Sequence, residues 1–423
     1  MKTIKKAVVL LAVLPFIFAS AFALDYFEVD TPSIKKSAIF VSAQKNTRAN
    51  KKFIGTISEM LEESLLFTMV SSAKEADYSV YLEDSVESKE LVVTIKGEKQ
   101  TTYQPKYFGI KFQNTKDAYV ARKTAQMGNR IIKELFGVSG SLGSTLTWSQ
   151  TISSRKVIYK QSFGMNGTDE QVTYNFYTNY GASWNQEKDQ IIYTSHTDYG
   201  TVINLQKIDP LVFKAHEIFS QSGTASSPIW GPDGAIYMTL HVSDQNSDIF
   251  KFALSGDEKD GYTLKKVKAM TYIPSIETEP SISPDGKFMA FVSDQTSEPQ
   301  VYLLDLTTQK STRLTRKGGY NVSPVWAPNG RYLAYRSIRG GVSSLYRIDV
   351  ESKKERQLTS QGIFAEEPTW SPDGSLLAFT GRRNKNDNSK IFYMLSSGGE
   401  YTRLTDTAKD VVESGPSWGP GLH

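Results

Sequence analysis

The sequence predicts a mainly β protein, in which a six-bladed β-propeller closed by both chain ends follows a small mixed α/β domain. Two observations carry this prediction. A short phrase built on Trp and Pro-Asp-Gly recurs every 44 to 52 residues, and the first third of the chain lacks this period. A unit of about 40–50 residues with four short strands is typical of a propeller blade. We expect a leader at 1–23, the α/β domain at 24–147 and the propeller at 148–423.

The first 23 residues have the composition of a secretory signal peptide. Three lysines lie among the first six residues, an apolar run follows at 7–18, and the small-x-small triplet Ala21-Phe22-Ala23 offers a cleavage site. A membrane anchor is the alternative, but the run is shorter than the roughly 20 residues that a spanning helix needs. We expect cleavage after Ala23, export, and no transmembrane segment in the mature chain.

The composition excludes several functional classes. The chain of 423 residues has a formal net charge of +4, and three of its lysines belong to the leader, so the remainder is nearly neutral. A nearly neutral chain argues against broad nucleic-acid binding, which depends on a basic electrostatic field. The sequence contains no cysteine, which excludes disulfides, thiolate metal sites and cysteine nucleophiles.

The segment before the repeats predicts the α/β domain. Four short segments have the pattern of strands: Ser37–Val41, Tyr78–Leu82, Leu91–Ile95 and Tyr107–Phe112. Two apolar series have helical spacing: Ile54, Ile57, Leu61 and Leu65, then Val120, Thr124, Met127, Ile131 and Leu135. Asn50 is the expected cap of the first helix, and Gly137 is expected to end the second. The stretch Gly137–Ser144 is rich in Gly and Ser, which predicts a flexible joint.

Turn chemistry explains the repeated phrase. One full copy is Glu279-Pro280-Ser281-Ile282-Ser283-Pro284-Asp285-Gly286, and the leading prolines are Pro228, Pro280, Pro324, Pro368 and Pro416. Five of the six tryptophans occupy one position of the phrase: Trp184, Trp230, Trp326, Trp370 and Trp418. Proline presets φ for a type I turn, aspartate supports the turn, and glycine takes the left-handed position after it. Each copy therefore predicts a hairpin between the first two strands of a blade.

The last copy predicts how the ring closes. The phrase Gly415-Pro416-Ser417-Trp418-Gly419-Pro420 leaves no room for three more strands before residue 423. We expect these strands to come from upstream, from Lys156–Tyr159 and Gln171–Tyr180, so that both ends of the propeller share one sheet and leave no free edge. A degenerate copy at Ala182-Ser183-Trp184 is the first of the six, and six copies predict six blades.

The order of these parts resembles the TolB family, the periplasmic propellers of the Tol-Pal system. The resemblance rests on the leader, the α/β domain with its second helix ending at Ile131–Val138, the strand Lys156–Tyr159, the six blade phrases and the closing Trp418. It implies a periplasmic, non-enzymatic adaptor without a cofactor. It also implies that the lipoprotein Pal binds at the channel mouth and that TolA, an inner-membrane protein, contacts the N-terminal region. The implied roles are envelope integrity, outer-membrane constriction in cell division and toxin import, with other envelope proteins as further partners.

The candidate binding residues lead into the first strand of each blade, because these segments converge on the propeller axis. They are Ser226, Ser227, Thr278, Glu279, Val322, Ser323, Glu366, Glu367, Ser414 and Gly415. Small and polar side chains suit a docked peptide or loop. Five glutamates are expected to make this mouth acidic, which favours a basic partner or a bridging cation: Glu277, Glu279, Glu366, Glu367 and Glu413. The alternative is that these are solvated loop residues.

The expected mature start is a second candidate binding segment. It reads Leu24-Asp25-Tyr26-Phe27-Glu28-Val29-Asp30 and alternates apolar with acidic residues. Such a segment can add as a strand to the sheet edge of a TolA-like partner. Pairing within its own domain is the alternative.

Two other functions stay open from the sequence. One is a propeller enzyme that acts on envelope glycans, for which the acidic mouth offers paired carboxylates. The other is a sensor that binds a small ligand in the channel. Three further patterns are better explained as structure. Asp233, Asp285 and Asp373 belong to turns, and 384–388 lacks the Gly and Glu of a calcium loop. Residues 415–419 match a serine-hydrolase motif, but only four residues follow them and the segment aligns with the other blade strands.

Overall fold

The computed structural model describes residues 36–44, 48–85, 90–99, 104–111, 117–165, 167–185, 189–208, 214–221, 224–243, 246–359 and 362–419. The predicted leader at 1–23 and the segment Leu24–Asp30 lie outside these residues. None of the helices in the described ranges is both long enough and apolar enough to span a membrane.

A five-stranded sheet with two helices forms the α/β domain. Its elements are β1 (Ser37–Ala43), α1 (Arg48–Glu63), β2 (Phe67–Met69), β3 (Tyr78–Ser85), β4 (Glu90–Gly97), β5 (Lys106–Lys111) and α2 (Asp117–Phe136). The strand order is β2-β1-β3-β4-β5, with β1 parallel to β2 and β3 and the other pairs antiparallel. Ile57 and Leu61 of α1 and Met127 and Ile131 of α2 are fully buried, so the predicted apolar faces build this core.

Helix boundaries differ from the sequence prediction at one end. Helix α1 begins at Arg48, so Asn50 lies in its first turn and is not the cap that we expected. The helix ends before Leu65, which has a positive φ of 59°. Helix α2 ends as predicted, because Gly137 has φ of 76° and donates its N–H to the carbonyl of Lys133 at 2.8 Å.

The remaining strands form six four-stranded antiparallel sheets, which are the predicted blades. The first three strands of the propeller are β6 (Thr145–Ile152), β7 (Arg155–Ser162) and β8 (Glu170–Gln171), and they belong to the closing blade. Blade one is β9 (Thr178–Trp184), β10 (Gln190–Thr197), β11 (Gly200–Lys207) and β12 (Ala215–Gln221). Blade two is β13 (Ala225–Trp230), β14 (Ile236–Ser243), β15 (Asn246–Asp257) and β16 (Gly261–Ala269). Blade three is β17 (Glu277–Ile282), β18 (Phe288–Ser293), β19 (Gln300–Asp305) and β20 (Ser311–Arg313). Blade four is β21 (Tyr320–Trp326), β22 (Tyr332–Arg339), β23 (Val342–Asp349) and β24 (Glu355–Gln357). Blade five is β25 (Phe364–Trp370), β26 (Leu376–Arg382), β27 (Lys390–Leu395) and β28 (Tyr401–Arg403), and β29 (Glu413–Trp418) completes the closing blade with β6, β7 and β8.

The six first strands, β9, β13, β17, β21, β25 and β29, line the axis. Each contacts the first strands of both neighbouring blades, and β29 contacts β9, so the ring is complete. Tryptophan side chains reinforce these contacts: Nε1 of Trp184 donates to the carbonyl of Ser417 at 3.3 Å, across the closure. Nε1 of Trp370 likewise donates to the carbonyl of Val325 at 3.1 Å, so two of the five repeated tryptophans connect neighbouring blades through hydrogen bonds.

Both ends of the propeller share the closing blade, as predicted. The strand that pairs with the strand of Trp418 is β6, however, and not the predicted strand at Lys156–Tyr159. Trp418 lies opposite Leu146 of β6, and β6 in turn pairs with β7, the strand that contains Val157 and Ile158. Strand β6 was not predicted, and the stretch 171–180 that we assigned to this blade is divided between β8 and β9. The β6–β7 hairpin turns at Ser153 and Ser154, both with positive φ, and lacks the glycine or asparagine that usually marks such a turn.

Residues 137–144 are packed and hydrogen-bonded, unlike the flexible joint that their composition suggested. Leu142 is fully buried, and its backbone N–H and carbonyl bond the side-chain amide of Asn129 at 3.0 and 2.9 Å. Gly140 permits this approach, because a Cβ there would lie 2.3 Å from Oδ1 of Asn129. The small residues serve close packing between the domains.

The two domains share one apolar core. The ring of Phe163 packs edge-on against Tyr393 and Trp418 at centroid distances of 5.2 and 5.1 Å, and this cluster continues into the α/β domain. Ser141 adds a hydrogen bond of 2.6 Å to Asp373, in the turn between β25 and β26. The α/β domain therefore covers the propeller face that carries the Pro-Asp-Gly turns. The opposite face carries the starts of the inner strands and the second-to-third-strand hairpins.

Candidate partner-binding site

A ring of strained residues surrounds the propeller axis. In five of the six inner strands one repeat position is occupied by proline, and in β9 it is occupied by Ala182. The residue before this position has φ between 50° and 66° in all six strands: Gly181, Ser227, Glu279, Ser323, Glu367 and Gly415. A residue before proline normally adopts an extended conformation, and a left-handed one costs about 1–2 kcal/mol for a residue with a Cβ. Pairing with the second strand shifts register at this place in every blade, so the residue forms a bulge. Repeated strain of this kind is typical of functional sites.

The structure brings the ten candidate residues together on five of the six inner strands. They lie within the strands, two per blade at the bulge, and not in the loops before them as we expected. Nine are partly exposed, and Val322 is buried. The sixth inner strand contributes Tyr180 and Gly181, which the sequence analysis omitted because Ala182 replaces the proline there.

Glu279 and Glu367 connect neighbouring blades through the bulges. Oε2 of Glu279 accepts the backbone N–H of Ser323 at 2.6 Å, and Oε2 of Glu367 accepts the N–H of Gly415 at 2.7 Å. The hydroxyl of Thr380 also donates to Glu367, at 2.7 Å. Burial raises the pKa of Glu279, and the charge of Glu367 raises it further. These carboxylates stabilise the ring, and both residues are partly exposed.

Glu366 is partly neutralised by two arginines. One of its oxygens lies 3.3 Å from Nη2 of Arg336 and 3.8 Å from Nη2 of Arg382. The sequence analysis missed both arginines because they belong to second strands, β22 and β26, whereas it considered only the first strands. Basic side chains therefore interrupt the acidic mouth on blades four and five.

Glu277 and Glu413 are wrongly placed in the predicted acidic mouth. Both are fully buried. Glu277 accepts hydrogen bonds from the hydroxyls of Ser275 and Ser293, the latter at 2.8 Å. Glu413 accepts the N–H of Ile391 at 3.2 Å and two threonine hydroxyls. Of the five expected glutamates, Glu279, Glu366 and Glu367 are the three that are partly exposed.

The turn aspartates and the segments 415–419 and 384–388, which we attributed to structure and not to catalysis or metal binding, lie in turns, a strand and a hairpin loop. Oδ1 of Asp285 accepts hydrogen bonds from its own turn, and Asp373 is bonded by three serine side chains of the turn and the linker. Ser417 lies in β29, which has no helix after it in the described chain. Asp387 accepts two hydrogen bonds from Asn384 within a hairpin loop. Within the ranges that the structure covers, no three acidic or histidine side chains are grouped so that they could hold a metal ion.

Exposed aromatic side chains surround part of the mouth. Phe176 and Tyr199 are 89% and 93% exposed, and Tyr174 and Tyr177 are about half exposed. They lie in the loop before β9 and in the β10–β11 hairpin, on the face opposite the α/β domain. Large exposed aromatic residues are the type that dominates protein–protein interfaces.

Comparison with known families identifies the propeller. The family model of the TolB beta propeller domain matches residues 177–422, more than half of the chain. The chain belongs to the TolB family. A curated TolB homologue from Chlorobium luteolum is 39% identical over 88 residues, which are 21% of this chain and 18% of that protein. The match therefore spans less than a fifth of this relative's length.

Solved structures agree with the family on the fold. The crystal structure of TolB from Acinetobacter baumannii has a TM-score of 0.74 at 18% identity, and the alignment covers 91% of this TolB-family chain and 97% of that chain. Hydrazine synthase from Kuenenia stuttgartiensis has a TM-score of 0.53 at 13% identity, covering 65% of this chain and 46% of that one. At these identities the likeness concerns the fold alone. Because the Acinetobacter alignment covers 91% of this chain, the likeness in fold includes both domains.

Proposed function

We propose that this TolB-family chain is a non-enzymatic periplasmic adaptor of the Tol-Pal system, and that a Pal-like lipoprotein docks at the channel mouth. The observation that carries the proposal is the ring of six left-handed bulges, which places strained backbone and three partly exposed glutamates around one opening. The exposed aromatic residues beside this opening support it, since they offer apolar contact area next to polar groups. The face is opposite the α/β domain, which leaves it accessible.

The proposed contact combines charge with shape. A loop with a basic tip would meet Glu279 and Glu367 on the axis, while its flanks would contact Tyr199 and Phe176. The inner strands are held by blade-to-blade hydrogen bonds, so the opening is preorganised, and preorganisation lowers the entropic cost of binding.

Binding of the soluble domain of a Pal-like lipoprotein tests the proposal. Glu367→Gln keeps an oxygen that can accept the N–H of Gly415 but removes the charge, so the ring should stay folded. We expect affinity to fall at least about tenfold by calorimetric titration, because one hydrogen bond to a charged group contributes about 1.5–3 kcal/mol. Glu351→Gln removes the same charge at an exposed site in the β23–β24 loop and should leave affinity unchanged. Equal affinities for all three proteins would exclude the mouth as the docking site.

The N-terminal segment is the proposed contact for a TolA-like partner. Leu24–Asp30 alternates apolar and acidic residues, a pattern suited to strand addition. Deleting these seven residues should abolish binding of the periplasmic TolA domain and leave capture of the lipoprotein intact. Unchanged TolA binding would remove this part of the proposal. The envelope roles in outer-membrane constriction, cell division and toxin import depend on both contacts.

A propeller enzyme acting on envelope glycans is the second candidate, and one observation favours it. Glu279 has a raised pKa and lies near the charge of Glu367, as a general acid beside a second carboxylate would. Both carboxylates, however, accept backbone N–H groups and serve the ring. The test is incubation with purified envelope glycan, followed by measurement of new reducing ends. Reducing ends that the wild type produces and Glu279→Gln does not would favour the enzyme, and no turnover by the wild type would exclude it.

A further inference from the structure

A second concave site lies on blade five, on the same face as the mouth. The cleft has a volume of about 490 Å³. Gly381 and Phe392 are among its lining residues, and five basic side chains surround it: Arg382, Arg383, Lys390, Arg403 and Lys409. These come from the end of β26, the hairpin before β27, the start of β27, the end of β28 and the loop after it, so the fold of one blade gathers them.

The charge in the cleft is only partly compensated. Lys390 lies beside the opposite charge of the buried Glu413, and its Nζ donates to Oγ1 of Thr407 at 2.8 Å. Nη2 of Arg403 donates to the carbonyl of Thr407 at 2.5 Å. Asp387 is its one acidic lining residue, and Oδ2 of Asp387 already accepts the N–H and the amide of Asn384. Within the described chain, Arg383, Arg403 and Lys409 form no ion pair, and the one acidic contact of Arg382 is the 3.8 Å approach to Glu366. Like charges held together with few counter-ions favour an anionic ligand.

Arg382 adds a second, independent observation. Its Nε is buried and has no hydrogen-bond acceptor within the described residues. A buried donor without an acceptor is rare in folded proteins and needs an explanation. Here the guanidinium lies over the Phe364 ring, 5.9 Å from its centroid, and Nε has no exposed surface. An anion in the cleft would therefore bind the other nitrogens of Arg382, whose side chain is 40% exposed.

We propose that this cleft binds a phosphate ester of a small polyhydroxy compound, either free or as the headgroup of a lipid. Arginine forks match the oxygens of a phosphate group through paired hydrogen bonds, and lysine adds a point charge. The volume is larger than one phosphate group requires, and the amides of Asn386 and Asn388 in the lining offer donors and acceptors for hydroxyl groups. The site adjoins the proposed lipoprotein contact on the axis, because Arg382 lines the cleft and also approaches Glu366 at 3.8 Å.

Titration of the mature protein with glycerol 3-phosphate and inorganic pyrophosphate tests the proposal. The double variant Arg383→Gln/Arg403→Gln should lose at least about tenfold in affinity, because each arginine contributes a hydrogen bond to a charged group. Both arginines are exposed, and the double variant loses only the hydrogen bonds of Arg403 to Thr407, so the melting temperature should fall by no more than about 2 °C. Arg316→Gln removes one exposed arginine from the loop after β20 and should change affinity less than about twofold.

Vesicles distinguish the two sources of the ligand. Binding to phosphatidylglycerol vesicles but not to phosphatidylcholine vesicles, lost in the double variant, identifies a lipid headgroup, whereas binding of the soluble esters alone identifies a free compound. The proposal is overturned if neither probe nor vesicle binds at millimolar concentration, or if Arg316→Gln weakens binding as much as the double variant. It is also overturned if an oligoglutamate peptide binds the cleft and the phosphate esters do not compete.

Discussion

Replacing Trp418 with alanine tests the closure of the ring. Trp418 is buried in the core shared by both domains, and its Nε1 donates to Oγ of Ser144 at 2.7 Å. Loss of a buried tryptophan typically costs about 3–5 kcal/mol, and the hydrogen bond adds about 1 kcal/mol. At roughly 2 °C per kcal/mol for a domain of this size, the melting temperature should fall by about 8–12 °C.

Trp230 provides the matched control for this experiment. It occupies the same repeat position in blade two, is only partly buried, and its Nε1 has no acceptor in the described chain. Trp230→Ala should therefore lower the melting temperature by no more than about half as much. Scanning calorimetry measures both shifts, and limited proteolysis should cut 137–144 faster in Trp418→Ala alone. Equal shifts and equal cleavage would refute the role of Trp418 at the junction of ring and domain.

Three further tests address other parts of the structure. Gly419→Ala should destabilise the protein by about 1–3 kcal/mol in chemical unfolding, because the new Cβ would lie 2.6 Å from the Trp184 ring. Gly55→Ala, at an exposed position of helix α1, should stabilise the protein, and a change of the same sign in both variants would contradict this expectation. The free energy of unfolding of Glu277→Gln, relative to that of the wild type, should increase between pH 4 and pH 7. Burial raises the pKa of Glu277, and the charges of Asp248 and Asp294 raise it further. The wild type therefore loses the stability that protonation of Glu277 contributes as pH rises through the folded pKa, whereas glutamine does not titrate. Melting curves across this range test it, and a stability difference that does not change with pH would refute it. Asp373→Ala should cost about 2–4 kcal/mol and Asp285→Ala about 1 kcal/mol, because Asp373 also accepts the Ser141 hydroxyl from the domain linker; equal losses would refute that contact.

Much of the propeller could be predicted because its turns have a strong sequence signal. The glycines of four Pro-Asp-Gly-type turns, Gly234, Gly286, Gly330 and Gly374, all have φ between 69° and 75°, as the turn chemistry requires. This turn signal repeats in blades two to five, and the Trp position marks the first strands of blade one and of the closing blade. The number of blades and the shared closing sheet follow from that count.

The parts that sequence reasoning missed lack such a signal. Strand β6 contains the fully buried Trp148, but the turn after it is Ser153-Ser154. Both serines have positive φ, and no glycine in the turn indicates this conformation from the sequence. The Gly-Ser linker has the composition of a flexible segment, whereas its small residues permit close packing against α2. Composition alone does not distinguish these two uses of glycine.

The error at the mouth has a specific geometric cause. Glu277 and Glu279 are two residues apart, so a regular strand would direct both to the same side. The left-handed conformation of Glu279 and the register shift after Thr278 break this alternation, and Glu277 enters the blade interior. The bulge that creates the channel ring is thus what sequence periodicity could not predict.

Site-specific crosslinking in intact cells tests the central claim most directly, since the sequence contains no cysteine and a single introduced thiol is unique. Ser227→Cys places a photo-crosslinker in the channel ring, and Ser352→Cys places it at an exposed position in the β23–β24 loop. The account predicts that Ser227→Cys captures one envelope lipoprotein and that Ser352→Cys does not. Capture of that lipoprotein from Ser352→Cys but not from Ser227→Cys would contradict docking at the channel mouth.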